Sequence, residues 1–444
     1  MNRILSATSL IILLLATACA TRKPEKLPLV PKYSRFEQSF QGAKAKASPA
    51  PAQRMVVSFI APSGKIKRCL AFQDGPRLWR VRFAPDEIGR WEYLTESADV
   101  SDKSLHHQRG AFLCVAPAGN SIFEKHGFLG IAHTKRHLAY EDGTPFLWLG
   151  APVDRLSQDA WPHEIAFRHA EQFSVIQWPA TPLGAYTHEG YFAEVESRSA
   201  LISSKGMVSA PVLTLGKDKD SSIAAARQLA ARLNAEPVVW ILDARAATSQ
   251  DVIQLGQAVF GGGLSHAPVV LWTEPHQWPA FENEQWFDII GAAPQSATSI
   301  AGSKTKAPQQ PQKPVLLIGH QTDRSELLAR LLGARIAGAT GTSSGALAGF
   351  LKSIEWWRLE SAPSLVAGEK VATGRTPDKD IAVVYAPSVK TVSLNLNELP
   401  RSAAMEWVHL INGETKPVTA VIGAQTCDVV QPEGSDWVLL LRRK

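Results

Sequence analysis

Short apolar runs and helical segments alternate through the middle of the chain. Apolar residues recur at helical spacing over 222–234, 249–260 and 325–332, which predicts amphipathic helices there. Near-continuous apolar runs followed by helices are typical of a parallel sheet. Eight such runs predict a (β/α)8 barrel, distorted because some connections show no clear helix. The predicted strands are 145–150, 173–178, 207–215, 237–242, 268–273, 286–291, 314–319 and 335–340.

Two regions with the patterning of β-strands flank this predicted barrel. In the first, alternating segments are separated by turn residues such as Pro62-Ser63-Gly64, which predicts an N-terminal β-sandwich over 33–117. In the second, Asn412-Gly413 is a strong hairpin signal within a small β-sandwich predicted over 367–444. The barrel domain is then predicted over 126–366. The predicted flanking strands are 36–40, 55–60, 79–83, 91–95, 111–115, 381–385, 391–396, 406–411 and 437–441, and a low-complexity insertion is predicted at 295–312.

The N-terminus has the pattern of an export signal. Arg3 precedes an apolar run that is shorter than the 18 or more residues of a membrane-spanning helix. Small residues then lead into Cys19, and this arrangement resembles the bacterial lipobox, whose cysteine becomes lipidated. We therefore predict a lipoprotein signal peptide at 1–18 and a polar, proline-rich tether at 19–32. The alternative is an ordinary secretory signal beside an unrelated cysteine. The predicted location is the outer membrane or the periplasmic face of a membrane.

Composition narrows the classes of partner and cofactor. The net charge of +6 comes from 20% charged residues without long basic blocks, so nucleic acid is not a predicted partner. In an oxidising compartment Cys69 and Cys114 are the candidate disulfide pair, although burial as free thiols is an equal alternative. His133 and His137 lie four residues apart without a third ligand nearby, so neither a metal nor another cofactor is predicted.

Several motifs, in a fixed order, carry a resemblance to a known family. In the first domain they are Leu78-Trp79-Arg80-Val81-Arg82-Phe83 and Gly89-Arg90-Trp91-Glu92-Tyr93. They resemble a β-sandwich of unknown function that is found on secreted sugar-degrading enzymes. Further along they are Glu141-Asp142-Gly143-Thr144-Pro145-Phe146, Lys205-Gly206-Met207-Val208 and Pro237-Val238-Val239-Trp240-Ile241-Leu242. These resemble the apiosidase-like glycoside hydrolase barrel. Trp356-Trp357-Arg358-Leu359 and Asp436-Trp437-Val438-Leu439 resemble the family's C-terminal module, often described as collagen-binding.

The resemblance implies a pair of catalytic carboxylates at the C-terminal ends of barrel strands. The family pattern would place one acid near residue 245, where this chain has Arg245, with Asp243 two residues earlier. Alternation turns Asp243 and Arg245 to the same side, which predicts a salt bridge between them. After the seventh strand the chain has His320 in place of a glutamate, and after the first it has Ala151. The expected catalytic positions are therefore substituted.

The remaining candidate chemistry lies near the ends of the strands. Glu274 is the best remaining acid and forms a shifted catalytic pair with Asp243 in one hypothesis; in the other it is a rim carboxylate. Aromatic and polar side chains near strand ends suit a sugar, whose C–H surfaces stack while its hydroxyls form hydrogen bonds. The predicted substrate-binding residues are Trp178, Trp272, His276, Trp278, His320 and Asp323.

Three functional hypotheses follow, and a polysaccharide is the predicted partner in the first two. The first is an envelope lipoprotein with a glycoside hydrolase fold that acts on or binds a glycan. The second is a non-catalytic glycan-binding or polysaccharide-assembly module. The third rests on Gly341-Thr342-Ser343-Ser344-Gly345, which matches the G-x-S-x-G turn of serine hydrolases and makes Ser343 a candidate nucleophile. Asp380 and His409 follow in the order that a triad would need, but both fall in the predicted C-terminal β-sandwich. The oligomeric state has no sequence signal.

Overall fold

The structure is a computed structural model of the chain. It describes residues 26–45, 54–154, 157–180, 190–293, 313–319, 327, 330–331, 336–340, 345–366, 371–387, 389–399, 402–434 and 436–444. Within these residues no helix combines the length and the apolar character that crossing a membrane requires. The predicted signal peptide, Cys19 and the low-complexity insertion at 295–312 lie outside the described residues.

The N-terminal domain is a β-sandwich, as the alternation predicted. A five-stranded sheet in the order β1-β8-β7-β3-β4 faces a three-stranded sheet in the order β2-β6-β5. Inward-facing Phe59, Trp91 and Phe112 are fully buried between them, which is the usual reason for alternation in a sandwich. The strands are β1 (Leu29–Pro31), β2 (Phe36–Gln41), β3 (Met55–Ile60), β4 (Ile66–Leu70), β5 (Phe72–Gln73), β6 (Leu78–Phe83), β7 (Gly89–Ser97) and β8 (Arg109–Val115).

Strand β1 corrects the predicted tether. Leu29, Val30 and Pro31 pair in parallel with Leu113, Cys114 and Val115 of β8, and Val30 is buried in the sandwich core. The tether predicted to extend to residue 32 is therefore too long. The pattern concealed this strand because it is short, contains a proline and lies at a sheet edge, where a missing N–H donor is tolerated.

A closed barrel of eight parallel strands, β12 to β19 in sequential order, forms the central domain. This confirms the predicted barrel and the order of its strands. A short helix and a three-stranded sheet precede it, and their Phe123, Leu138 and Tyr140 close its N-terminal end. These elements are α1 (Ile122–His126), β9 (Leu129–Ile131), β10 (Leu138–Tyr140) and β11 (Pro145–Phe146). The barrel strands are β12 (Trp148–Pro152), β13 (Val175–Pro179), β14 (Val208–Thr214), β15 (Trp240–Asp243), β16 (Val269–Trp272), β17 (Ile289–Ala292), β18 (Val315–Ile318) and β19 (Ile336–Thr340).

The helices around the barrel begin where capping residues allow. Asp218 and Thr248 accept backbone N–H bonds at the starts of α4 and α5, which satisfies donors that a helix start leaves free. After β16 the chain forms only a 3-10 helix, Pro275–Phe281, in keeping with the predicted distortion. The described α-helices are α2 (Trp161–Ala170), α3 (Tyr191–Ser204), α4 (Lys219–Arg232), α5 (Ser249–Val259) and α6 (Gly345–Lys352). The further 3-10 helices are Gln158–Ala160, Trp356–Arg358, Pro363–Leu365 and Leu396–Glu398.

The C-terminal domain is a second sandwich, with a six-stranded and a three-stranded sheet. Asn412-Gly413 joins β24 and β25, which pair antiparallel, and Gly413 has the positive φ of 74° that such a turn needs. Glu360 and Ser361 already belong to its larger sheet, so the predicted start at 367 is late. The strands are β20 (Glu360–Ser361), β21 (Ala372–Arg375), β22 (Ile381–Tyr385), β23 (Thr391–Asn395), β24 (Ala403–His409), β25 (Thr415–Pro417), β26 (Ala420–Ile422), β27 (Thr426–Val430) and β28 (Trp437–Arg443).

An ionic network joins the N-terminal sandwich to barrel helices α3 and α4. Arg82 of β6 bonds Glu37 of β2 at 2.8 Å and Glu196 of α3 at 3.0 Å. Arg232 of α4 bonds Glu196 at 2.8 Å and Asp74 of the sandwich at 2.8 Å. Both arginine side chains are over nine-tenths buried, where an unpaired charge would be costly. The network therefore fixes how the sandwich sits against the barrel.

Candidate functional site

The candidate site lies at the C-terminal end of the barrel, on its inner side. Asp243 ends β15 and is the register partner of Trp272 at the end of β16. Inner positions alternate with outer ones along each barrel strand. Val270, two residues before Trp272, belongs to the inner cluster, the group of apolar side chains that fills the inside of the barrel. Trp272 therefore faces inward as well. We call Gln177, Asp243, Arg245, Trp272 and Glu274 the barrel mouth. This is where TIM-barrel enzymes hold their catalytic groups.

Asp243 is bound by Arg245 through both of its carboxylate oxygens. Arg245 donates from Nε to Oδ1 at 2.9 Å and from Nη2 to Oδ2 at 2.9 Å, and its backbone N–H donates to Oδ1 at 3.2 Å. The predicted salt bridge is confirmed in this bidentate form, the geometry in which a guanidinium binds a carboxylate most strongly. A proton on either oxygen would disrupt one of the two bonds.

The Arg245 guanidinium also covers Trp272. Its central carbon lies 3.5 Å from the centroid of the Trp272 ring, the stacked arrangement that arginine favours on aromatic faces. Hydrogen bonding to Asp243, with smaller contributions from the charges of Asp243 and Glu274, raises the pKa of Arg245. Trp272 is half-buried, and Arg245 occupies the stacking face that was predicted for a sugar.

Glu274 follows Trp272 and is exposed at the rim. Its backbone N–H donates to Oε1 of Gln277 at 3.2 Å, so the start of the 3-10 helix fixes its backbone. His276 is exposed in the same helix, and Trp278 is half-buried against the outer core of the barrel. Glu274 lies close enough to the Asp243–Arg245 pair for its charge to raise the pKa of Arg245. The Trp278 indole N–H is buried without a hydrogen-bond partner.

Trp272 can pack against β17 only because residue 291 is a glycine. A Cβ at Gly291 of β17 would lie 2.9 Å from both Cα and Cβ of Trp272. Side-chain carbons do not approach backbone this closely, so a larger residue would displace Trp272. The position of the indole at the mouth therefore depends on this glycine.

Gln177 is a mouth residue that the pattern did not single out. It lies in β13 on the same side as Val175, which is in the inner cluster, and only 9% of it is exposed. Its side-chain oxygen Oε1 is buried without a hydrogen-bond partner, which a buried polar group rarely tolerates. The available signal was one polar residue at an inner position of an apolar strand.

Trp178 is a correction to the predicted binding residues. It faces outward from β13, is fully buried, and packs edge-to-face on Trp161 of α2 with centroids 5.9 Å apart. Its indole N–H donates to Oγ of Ser209 at 3.0 Å. A side chain enclosed in this way offers no face to a sugar. Its position next to a strand end suggested the mouth, but alternation turns it to the helix layer.

The remaining positions at which functional groups were expected from the sequence do not contribute to the barrel mouth as described. Ala151 is buried in β12, and Asp154 is exposed in the loop beyond it. His320, Asp323 and Ser343 lie outside the described residues.

Asp380 and His409, the candidate triad partners of Ser343, lie at opposite ends of β28. The backbone N–H of Arg443 donates to the carbonyl oxygen of Asp380, whereas His409 pairs with Trp437. Six residues of strand separate Arg443 from Trp437, a distance of roughly 20 Å. The two residues therefore do not form the acid–base pair that a serine nucleophile needs.

The predicted disulfide between Cys69 and Cys114 is wrong. Both are free, buried thiols, the alternative that the sequence left open. Cys69 lies in β4 and Cys114 in β8, with β7 and β3 between them in the sheet. Three strand spacings amount to about 14 Å, whereas bridged Cα atoms lie within about 7 Å. Burial raises the pKa of Cys69 to about 12 and that of Cys114 to about 11.

Comparison with known proteins adds matches at both ends of the chain. Residues 29–98 match the family described as "Domain of unknown function (DUF5060)". Residues 364–442 match the family described as "Putative collagen-binding domain of a collagenase". No curated protein matches the chain.

Among solved structures, the whole architecture recurs. A crystal structure described as "a putative glycoside hydrolase from Bacteroides vulgatus" has a TM-score of 0.71 at 16% identity, covering 94% of this chain and 100% of the other. A glycoside hydrolase family 5 protein of Bacteroides vulgatus has a TM-score of 0.58 at 15% identity, covering 73% and 95%. A third structure, described as "Glycoside hydrolase", gives 0.58 at 14% identity, covering 74% and 99%. The chain therefore shares the fold of these three structures.

Proposed function

We propose that this protein is an exported, lipid-anchored glycan-binding protein that uses the mouth of a glycoside hydrolase barrel without hydrolysing its ligand. The bidentate bond between Asp243 and Arg245, with both distances 2.9 Å, is the observation that carries the non-hydrolytic part. Hydrolysis needs one carboxyl group to give a proton and a second carboxylate to attack or to activate water. Both oxygens of Asp243 already accept hydrogen bonds from Arg245, which leaves Glu274 as the other carboxylate among the described mouth residues.

The mouth retains groups that suit sugar hydroxyls. Gln177 has a buried carboxamide oxygen with no hydrogen-bond partner, and Glu274 has an exposed carboxylate. Such groups orient a saccharide in a concave site. The described mouth residues hold two carboxylates against one guanidinium, so their charge favours a neutral glycan over a polyanionic one.

Binding and turnover are measured on the chain from Ala20 to Lys444, which keeps every described residue. Isothermal titration calorimetry with neutral and uronic-acid oligosaccharides is paired with a reducing-end assay on the same panel. We expect binding of a neutral oligosaccharide with no release of reducing ends, weakened by Gln177→Ala and by Glu274→Gln. Glu414→Gln, an exposed glutamate of the C-terminal sandwich, is the matched control. Turnover that Asp243→Asn or Glu274→Gln abolishes would contradict the proposal.

The anchor is tested separately. The short apolar segment and small residues before Cys19 support lipidation at that cysteine. Metabolic labelling with a radioactive fatty acid in an expressing bacterium should label the wild type and leave Cys19→Ser unlabelled. Label retained by Cys19→Ser would remove the anchor from the proposal.

The serine esterase alternative has less support. Asp380 and His409 lie at opposite ends of one strand, so Ser343 has no assembled acid–base partner among the described residues. Labelling of Ser343 by a fluorophosphonate probe would favour the esterase, and we expect none.

A further inference from the structure

One outer face of the N-terminal sandwich concentrates exposed aliphatic side chains. The described residues include twelve large apolar side chains that are exposed, and five of them lie at one end of the five-stranded sheet. We call these five the aliphatic face; they are Leu29, Ile60, Ile66, Ile88 and Leu113. Their exposures run from 36% for Leu113 to 68% for Leu29. Single exposed apolar residues are ordinary, but a cluster of this kind marks an interaction surface.

Strand register places these side chains on the same side of the sheet. Leu29 lies directly opposite Leu113, and Ile60 lies directly opposite Ile66. Directly opposed residues point to the same face of a sheet. Between the two pairs, Arg90 of β7 is the register partner of Leu113.

Glu92 completes the connection across the sheet, because it is the register partner of Ile60 in β3. Ile88 is exposed in the bend that immediately precedes β7, at the same end of the sheet. The aliphatic face therefore contains two register-matched pairs, one on β1 and β8 and one on β3 and β4, with the exposed ion pair of Arg90 and Glu92 on β7 between them.

The other half of the same sheet face is covered by the barrel. Val56 and Leu70 point to this side and are buried against Ala231 and Leu264 of the barrel domain. The exposed half is thus the part that the barrel does not reach. Its aliphatic character has no intramolecular partner among the described residues.

The path of the chain indicates what covers this half. Leu29 is both the first residue of β1 and part of the aliphatic face. Cys19 lies ten residues earlier in the sequence, and ten extended residues span at most about 35 Å. A lipid on Cys19 would therefore hold the bilayer within about 35 Å of this face, at the point where the chain enters the domain.

We propose that the aliphatic face docks on the surface of a lipid bilayer. The proposal rests on the membrane location in the proposed function but requires no lipid on Cys19 to be tested. Lys26 and Lys65 are exposed beside the face, and cations at the edge of an aliphatic patch suit anionic headgroups. A second copy of this chain is the competing occupant.

Vesicle co-sedimentation with the Ala20–Lys444 chain tests the docking directly. The probes are vesicles of phosphatidylethanolamine with phosphatidylglycerol, and vesicles of phosphatidylcholine alone. The test variant is Leu29→Thr/Ile66→Thr/Ile88→Thr, which removes the three most exposed side chains of the face. The control variant is Val421→Thr/Ile422→Thr/Val430→Thr, because these side chains of the C-terminal sandwich are 69%, 75% and 51% exposed.

We expect the chain to sediment with the anionic vesicles, and the test variant to lose about tenfold in partitioning. The control variant should partition like the wild type. Equal binding of the test variant and the wild type, or no binding by the wild type, would overturn the proposal. So would a dimer in analytical ultracentrifugation that the test variant dissociates, because a second copy would then cover the face. Failure of fatty-acid labelling at Cys19 would leave these outcomes unchanged.

Discussion

The contact between Asp243 and Arg245 predicts a measurable coupling energy. Arg245→Ala removes two hydrogen bonds of 2.9 Å and the stacking on Trp272 at 3.5 Å. It also leaves Asp243, whose side chain is 18% exposed, without its counter-ion beside Glu274. The single substitution should therefore cost more than an ordinary surface change.

The magnitude is limited by solvent. The Arg245 side chain is 41% exposed, so its charge is partly screened. Two charge-assisted hydrogen bonds, discounted for this exposure, give about 1–1.5 kcal/mol. The stacked guanidinium adds about 0.5 kcal/mol. We expect Arg245→Ala to lower the free energy of unfolding by about 1.5–2 kcal/mol, with about 1 kcal/mol shared with Asp243.

A double-mutant cycle with Asp243→Asn isolates that shared energy. Unfolding in urea would be monitored by circular dichroism and by tryptophan fluorescence. Coincident transitions from the two signals would establish that unfolding is two-state. Arg443→Ala with Asp380→Asn is the matched cycle, because that pair is single, exposed and 3.1 Å apart. Its coupling should stay below about 0.5 kcal/mol.

A coupling energy between Asp243 and Arg245 below about 0.3 kcal/mol would refute this reasoning, since the bidentate bond would then contribute nothing. The same variants give a second readout. Because Arg245 covers the Trp272 ring, Arg245→Ala should expose a sugar-stacking face and strengthen oligosaccharide binding. Weaker binding would show instead that the guanidinium itself contacts the glycan.

Three further predictions concern regions outside the mouth. Arg232→Met should lower the free energy of unfolding by about 2–3 kcal/mol, because Glu196 and Asp74 lose a buried partner. Calorimetry should then show the N-terminal sandwich unfolding in a transition of its own. A single, unchanged transition would contradict this prediction. His137 is 5% exposed, and burial, with the charges of Arg330 and Arg136, lowers its pKa to about 4. The native state therefore resists protonation of His137. The free energy of unfolding should be highest above about pH 6.5 and should fall by up to about 3 kcal/mol as the pH drops towards 4. In urea titrations at several pH values, His137→Gln should flatten that pH dependence. Cys69 and Cys114 should resist alkylation in the native protein and react after denaturation without reductant, as mass spectrometry would show; resistance after denaturation would indicate a disulfide.

The barrel strands were predictable because a strand that is buried on both faces is a nearly continuous run of apolar residues. The runs at 207–215 and 314–319 correspond to β14 and β18 within one or two residues. The turn at Asn412-Gly413 was equally readable, since its positive φ demands a residue such as glycine. By contrast, β1 was missed because three residues with a proline carry no periodicity. Its existence depends on β8, more than eighty residues away in the sequence.

The candidate site was only partly predictable. Spacing predicted the salt bridge between Asp243 and Arg245, but alternation is not its cause. Arg245 lies in the turn after β15, where its backbone N–H also donates to Asp243. Spacing could not show that Arg245 lies on Trp272, since Arg245 belongs to the turn after β15 and Trp272 to β16. Trp178 and Gln177 illustrate the same limit, because adjacent residues face opposite sides of the barrel wall. Which of these two sides faces the inside of the barrel is decided by closure of the sheet.

The sequence by itself determined the three-domain order and the barrel, because both are recorded in residue type and local period. Only the tertiary structure decided which groups meet. It separated Cys69 from Cys114 by two intervening strands, stacked Arg245 on Trp272, and gathered the aliphatic face from strands distant in sequence. Contacts of this kind depend on strand order and register, which arise from packing of the whole chain rather than from any local segment.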